Sequence, residues 1–307
     1  MPFVIKNRRE PNNPLVPRAT PTANERRVLQ TYLDAFQNVR GSTINRDTFR
    51  LIMEQVAAGN PLSAASLVPW GNFAQDLQPF VDVTTSQVVT SANQSLARLP
   101  SRLKVDMTFD LTDPRAIAWA QVRAGASIRG ITEESRQAVA RIIADGLRSK
   151  LDMEQMGNRI EAVVGLDQRQ AKSLDRFYGE TLEQLMDEGA SFNEATQEVR
   201  ERAKPLYDRM IRYRGLRIAR TEMVTAANQG RVLSWFEVES QGLMPPDSKR
   251  IWITALDERT CSVCAPKHRQ TVAWDSDFDF GSPALHPHCR CSIELLPGKP
   301  SARIAAA

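Results

Sequence analysis

Apolar residues recur at every third or fourth position along most of the chain, a spacing that is typical of amphipathic helices. Residues 104–111 instead alternate, which fits either a short strand or an extended linker. The helical pattern predicts helices over residues 24–40, 45–58, 86–99, 114–126, 132–147, 168–201 with a break near Gly189, and 207–239. Three later segments are strand candidates: 250–255, 270–274 and 291–296. The expected fold class is mainly α, with multi-helix N-terminal and central regions followed by a small α+β C-terminal module.

Two of the predicted helix starts carry local signals. Pro114 suits a first-turn position, where its missing N–H costs nothing. Thr132-Glu-Glu-Ser resembles an N-terminal cap, because a threonine oxygen and first-turn acids satisfy unpaired amides and the helix dipole. We therefore expect separate helices to begin at these two points.

The elements divide the chain into four expected segments. Prolines and scarce apolar side chains indicate a basic, extended arm over residues 1–23. Residues 24–110 are expected to form an N-terminal helical module, and residues 111–240 a central helical domain. Residues 241–307 are expected to form a small β-containing Cys/His module with a short tail.

The net charge of +4 comes from 40 Lys and Arg against 36 Asp and Glu in 307 residues. Residues 1–27 alone hold six basic and two acidic side chains, so the remainder of the chain is neutral. The arm, with Lys6, Arg8, Arg9 and Arg18, is either a solvated tail or a segment that lies on a partner or on phosphate backbone.

Several classes of protein are excluded or disfavoured. No apolar run approaches the ~18 residues of a membrane span, and the start has no apolar stretch of secretory length. Four cysteines are too few for a disulfide scaffold in a chain of this length. No Gly-rich phosphate loop, GxSxG elbow or HExxH motif is present, so we expect no enzyme and no small-molecule substrate.

All four cysteines and all three histidines lie between Cys261 and Cys291, and His286 and His288 stand beside Cys289. A Cys-x-x-Cys knuckle followed by a second Cys/His cluster is typical of a structural zinc site, and a small β unit gains most from such a metal. The ligands we favour are Cys261, Cys264, Cys289 and either His286 or Cys291. Disulfides and reduced thiols without a metal remain alternatives.

Glu222 lies between two apolar strips of the helix predicted over residues 207–239. A carboxylate among apolar neighbours is costly unless it is paired or hydrogen-bonded. Three interpretations are open: a structural acid bonded to a backbone amide or an arginine, a catalytic glutamate with a raised pKa, and a joint to the following module.

Four elements then follow in order: Arg217-Ile-Ala-Arg-Thr-Glu222 with Asn228, Trp252-Ile-Thr-Ala-Leu-Asp257, Arg259-Thr-Cys-x-x-Cys264, and His286-Pro-x-Cys-Arg-Cys291. This ordered set resembles the phage Mu F-like family of minor head, or head morphogenesis, proteins. The resemblance covers residues 112–297. One departure is Ala265-Pro-Lys-His-Arg, where the family usually has a Leu-x-Gly-like step. The residues of this chain that we take as the structural motif of the resemblance are Arg220, Thr221, Glu222, Asn228 and Asp257.

The resemblance implies a minor capsid protein of a tailed bacteriophage that acts in viral capsid assembly and DNA packaging. Its implied partners are the portal protein, the major capsid protein and packaged DNA, with no membrane. It would reside in the virion, at the capsid interior or the portal, and in the host cytoplasm during assembly. The alternative is a metal-dependent nuclease or DNA-binding protein built on the C-terminal Cys/His module.

Overall fold

The computed structural model describes residues 21–41, 46–58, 60–68, 73–148, 153–257 and 260–299. Lys6, Arg8, Arg9 and Arg18, which carry the expected arm function, lie outside the described residues. The chain is mainly helical and ends in a small strand region with a Cys/His cluster, which confirms the expected fold class. None of the described helices combines the length and the apolar character needed to cross a membrane.

The helices are α1 (Ala23–Gly41), α2 (Arg46–Ala57), α3 (Pro61–Ser66), α4 (Phe73–Asp76), α5 (Pro79–Arg98), α6 (Pro114–Arg148), α7 (Met153–Val163), α8 (Gln168–Asp187) and α9 (Phe192–Ser240). The strands are β1 (Lys249–Ile253), β2 (Thr271–Ala273) and β3 (Ser292–Leu296). All three predicted strands are therefore present. The break near Gly189 is also confirmed, since Gly189 has a φ of +97° and follows the end of α8.

The prediction of separate helices over 114–126 and 132–147 was wrong, because α6 runs through Thr132 without interruption. The Thr132 hydroxyl does not cap a helix but donates to the carbonyl of Ile128 one turn earlier, at 2.8 Å. Helix α9 likewise continues through Pro205, where a gap was expected between residues 201 and 207. Helix α5 begins at Pro79 rather than at residue 86, since proline suits the first helical position.

Residues 104–111 form an extended linker and no strand. The side-chain amide of Asn93 holds this linker by pairing with the main chain of Phe109. Its Nδ2 donates to the Phe109 carbonyl and its Oδ1 accepts from the Phe109 N–H, both at 2.8 Å. One asparagine thus replaces the partner strand that the alternating pattern would otherwise need.

The chain divides into two compact units. One comprises residues 28–79 and 125–216, and the other comprises residues 1–27, 80–124 and 217–307, within which residues 1–20 and the other gaps are not described. Each unit draws on separate stretches of sequence, and the four linear segments named above stay a prediction.

The unit built on residues 28–79 and 125–216 is organised around buried Arg214. Its guanidinium donates to the Gly165 carbonyl at 2.6 Å and to Ser135 at 3.1 Å, and it pairs with Glu134 at 2.7 Å. The Tyr32 hydroxyl donates to the same Gly165 carbonyl at 2.9 Å. These bonds offset the cost of burying a charged side chain.

The other unit, which we call the sheet unit, contains the antiparallel sheet in the order β2-β1-β3. Lys249 pairs with Ala273 of β2 and with Leu296 of β3, and Ile253 pairs with Ser292. Buried apolar residues of α5, α9 and the sheet form one core, which includes Val88, Trp235, Trp252 and Ile293. The sheet is too small to bury its own apolar side chains, so it depends on this packing.

Candidate metal centre

The loops that follow β1 and β2 bring the predicted ligands together. Cys261 and Cys264 lie on a tight turn after β1, in which the Ala265 N–H donates to the Cys261 carbonyl at 3.0 Å. His286, Cys289 and Cys291 come from the loop that leads into β3. These five side chains form two triads that share Cys264: Cys261, Cys264 and His286, and Cys264, Cys289 and Cys291.

Three distances within the two triads can be compared with those of a tetrahedral zinc site. Nε2 of His286 lies 3.1 Å from Sγ of Cys261 and 3.1 Å from Sγ of Cys264. Sγ of Cys264 lies 3.9 Å from Sγ of Cys289. A zinc ion about 2.3 Å from each sulfur would place two sulfurs of a tetrahedron about 3.8 Å apart. The donor set of thiols and one imidazole is also the set that zinc prefers.

A second hydrogen bond fixes the tautomer of His286. Its Nδ1 lies 2.9 Å from the carbonyl oxygen of Pro287, which can only accept. Nδ1 therefore carries the proton, and the lone pair of Nε2 faces the two cysteines. Metal-binding histidines typically use this arrangement.

The pKa values of the three buried thiols differ. A hydrogen bond from the Cys291 thiol lowers the pKa of Cys289 to about 5. Burial raises the pKa of Cys264 to about 12, and donating the hydrogen bond to Cys289 raises the pKa of Cys291. Two of these three thiols are therefore hard to ionise, and a bound cation would favour their thiolate forms.

Asn228 of α9 connects the long helix to the second ligand loop. Its Nδ2 donates to the Cys291 carbonyl at 3.2 Å, and its Oδ1 accepts from the Ile293 N–H at 3.0 Å. The amide therefore pairs with the start of β3 as one residue of a neighbouring strand would. Thr221, two turns earlier on α9, accepts through Oγ1 from the His288 N–H at 3.3 Å. His288 belongs to neither triad of candidate ligands.

Glu222 of α9 is buried and pairs with Arg123 of α6. Nε and Nη2 of Arg123 donate to the two carboxylate oxygens at 2.7 and 2.9 Å. This geometry corresponds to the structural interpretation with an arginine partner, and it occupies the carboxylate that a general base would need. Arg220 lies near Glu25, with 4.0 Å between Nε and Oε1.

Asp257 connects the two loops that carry the candidate ligands. Its carboxylate accepts from Nη1 and Nη2 of Arg290 at 2.6 and 2.5 Å. These hydrogen bonds raise the pKa of Arg290, which stands between the candidate ligands Cys289 and Cys291. The ion pair therefore joins the loop after β1 to the loop before β3.

Arg123 and Arg290 were not among the side chains expected to matter. No sequence pattern predicts the role of Arg123, because its partner Glu222 lies 99 residues further along the chain and no local spacing links the two. Arg290 stands inside the Cys-Arg-Cys segment, and that position between two candidate ligands could have singled it out.

The fold and this centre define a mainly helical protein whose small C-terminal sheet carries a Cys/His cluster fastened to a long helix. Residues 179–294 match the family described as Phage Mu protein F like protein. This match supports the resemblance to the phage Mu F-like head morphogenesis proteins that the sequence motifs had indicated. No curated protein and no solved structure gives a significant match.

Proposed function

We propose that the chain is a minor capsid protein of a tailed bacteriophage that docks on the portal or the inner capsid surface during head assembly. The observation that carries the proposal is the family match over residues 179–294. The portal protein and the major capsid protein are the partners we propose, and packaged DNA is a further one, through the basic arm. The protein would assemble in the host cytoplasm and reside in the virion.

A structural role without catalysis fits the two groups that could have served an enzyme. The Glu222 carboxylate is held by two hydrogen bonds from Arg123. The Cys/His cluster offers sulfur and nitrogen donors, whereas a nuclease ion prefers oxygen ligands. Both features support an assembly protein over the alternative of a metal-dependent nuclease.

The metal we propose for the cluster is zinc, held by Cys261, Cys264, His286 and Cys289. His286 is preferred to Cys291 because its Nε2 lies 3.1 Å from both knuckle sulfurs and its tautomer is fixed for ligation. Zinc there would supply folding free energy to a sheet of only three strands. Cys291 would then lie beside the ligands and donate its thiol hydrogen bond to Cys289.

Elemental analysis of the purified chain tests the zinc proposal, with about one zinc ion per chain expected. His286→Ala should lose most of the zinc after dialysis against a weak chelator, while Cys291→Ser should retain it. A folded wild-type protein free of zinc would refute the structural metal. Retention by His286→Ala together with loss by Cys291→Ser would reassign the fourth ligand.

Co-expression with the portal protein of the same phage genome tests the docking proposal. We expect the chain to co-elute with the portal in size-exclusion chromatography and to be found by mass spectrometry in purified particles. Absence from particles would contradict the proposal. So would magnesium-dependent cleavage of plasmid DNA that is lost in His286→Ala, since that outcome would establish the nuclease instead.

A further inference from the structure

The exposed face of α8 carries its charges in a defined order. Charged, exposed residues recur along it at intervals of three or four, which places them in one stripe about 27 Å long. In chain order these residues are Arg169, Lys172, Arg176, Glu180, Glu183 and Asp187. The first three form a basic half and the last three an acidic half, so the stripe as a whole is neutral. None of the candidate metal ligands lies on α8.

This order of charges does not stabilise α8 itself. Acids favour the start of a helix and bases favour its end, whereas α8 has Arg169 in its first turn and Asp187 in its last. Lys172 and Arg176 are like charges four residues apart, which weakens a helix. The same holds for Glu183 and Asp187. A partner that supplies the opposite charges would remove both penalties.

The described part of the chain does not neutralise the stripe. The six side chains form no hydrogen bond and no ion pair with another described residue. The Gln170 side chain donates to the Met210 carbonyl of α9 at 3.0 Å, so the exposed Arg209 and Arg212 of α9 lie at the basic end of this pair of helices. Helix α9 therefore adds positive charge at the end of α8 that is already basic.

A second copy of α8 supplies the complementary stripe. The two halves lie on either side of Tyr178, which is buried on the opposite face of the helix. Arg169 and Asp187 are each nine residues from Tyr178, and Arg176 and Glu180 are each two residues from it. A two-fold rotation about an axis at this level sets the basic half of each helix against the acidic half of the other. Such a contact is isologous and closes as a dimer.

We propose that α8 is a self-association surface along which two copies of the chain pair in antiparallel orientation. The expected ion pairs, each formed twice, are Arg169 with Asp187, Lys172 with Glu183, and Arg176 with Glu180. Duplex DNA suits the stripe less well, because the acidic half would repel its phosphates. The inference rests on α8 and does not require the proposed function.

Sedimentation equilibrium of the full chain tests the proposal with two charge-reversal variants. The glutamate variant combines Arg169→Glu, Lys172→Glu and Arg176→Glu. The lysine variant combines Glu180→Lys, Glu183→Lys and Asp187→Lys. Both should fold, because they place acids near the start or bases near the end of α8, and circular dichroism checks this. The control combines Arg98→Glu, Arg129→Glu and Arg141→Glu, which changes the net charge as the glutamate variant does at exposed positions outside α8.

Exposed ion pairs are individually weak, so we expect a wild-type dimer with a dissociation constant of about 100 μM at low salt. Raising the salt from about 50 mM to about 500 mM should weaken the dimer about tenfold. Each charge-reversal variant alone should associate at least about tenfold more weakly than wild type, and the control should be unchanged. An equimolar mixture of the glutamate and lysine variants should restore association, because each then meets the opposite charge.

A wild-type chain that stays monomeric at about 1 mM would overturn the proposal. So would charge-reversal variants that associate as wild type does, or a mixture of the two that does not associate. Binding of a duplex oligonucleotide that the glutamate variant loses, with self-association unchanged, would assign the basic half to DNA instead. Co-elution with the portal is measured independently, so the two proposals can fail separately.

Discussion

Asn228 connects α9 to β3 through its side-chain amide, and replacing it by alanine tests whether this connection stabilises the sheet unit. Asn228 is 3% exposed, and Ile293, whose N–H donates to Asn228 Oδ1, is 0% exposed. Alanine keeps the helix intact because it has the highest helix propensity. It removes both the acceptor for the Ile293 N–H and the donor to the Cys291 carbonyl.

The expected loss follows from the two buried main-chain groups left without a partner. Each unsatisfied buried group costs about 1–3 kcal/mol. We therefore expect Asn228→Ala to lower the free energy of unfolding by about 2–6 kcal/mol. Asn228→Asp should cost less, because it still accepts from Ile293 and Arg231 but no longer donates to Cys291.

Urea unfolding followed by tryptophan fluorescence measures this loss, since Trp235, Trp252 and Trp274 are buried in the sheet unit. All samples need the same zinc concentration, because a ligand of the native state shifts apparent stability. Asn193→Ala is the matched control: it makes the same substitution at an exposed position of α9 and should change stability by less than about 0.5 kcal/mol.

A loss of less than about 0.5 kcal/mol for Asn228→Ala would refute the reasoning, because it would mean that water or another group satisfies the edge of β3. A loss in Asn228→Asp as large as that in Asn228→Ala would place the stabilisation in the bond to Cys291 alone.

Two further predictions concern the packing of α9. A Cβ at Gly230 would collide with the main chain of α5, so Gly230→Ala should lower the free energy of unfolding by about 1–3 kcal/mol. At Gly130 of α6 a Cβ would meet open space, so Gly130→Ala should raise the free energy of unfolding by about 0.5–1 kcal/mol. Thermal melts measure both, and similar melting temperatures for the two variants would contradict the close contact. Arg123→Met should lower the free energy of unfolding by about 2 kcal/mol, because it leaves the Glu222 carboxylate unpaired. Breaking a fully buried ion pair would cost more, but the Arg123 side chain is 37% exposed. Adding Glu222→Gln should restore part of that loss in urea unfolding, and a further loss in the double variant would refute the pairing.

Helices could be predicted from the sequence where their apolar residues repeat, but their ends could not be predicted as well. Thr132 shows why, because threonine followed by acids suits a helix start and the same hydroxyl can also bond one turn back inside a helix. Whether α6 stops there depends on what packs against residues 127–131, and no local pattern contains that information. The three strands were predicted because their flanking turns are local.

The candidate ligands could be named from the sequence because a metal-binding knuckle is a local device, in which Cys261 and Cys264 share one tight turn. Only the tertiary structure gives a reason to prefer His286 to Cys291 in the proposed zinc site: the hydrogen bond from His286 Nδ1 to Pro287 and the short distances from Nε2 to two sulfurs. The sequence also marked Glu222 as an acid in need of a partner.

Which partner Glu222 has, and what Asn228 binds, was decided by the fold. Arg123 lies 99 residues from Glu222, and Ile293 lies 65 residues from Asn228. Burial makes such polar contacts obligatory, so the sequence determines that a partner must exist. The separation of two residues along the sequence does not show which residue is the partner, because the packing of α6, α9 and β3 determines that choice.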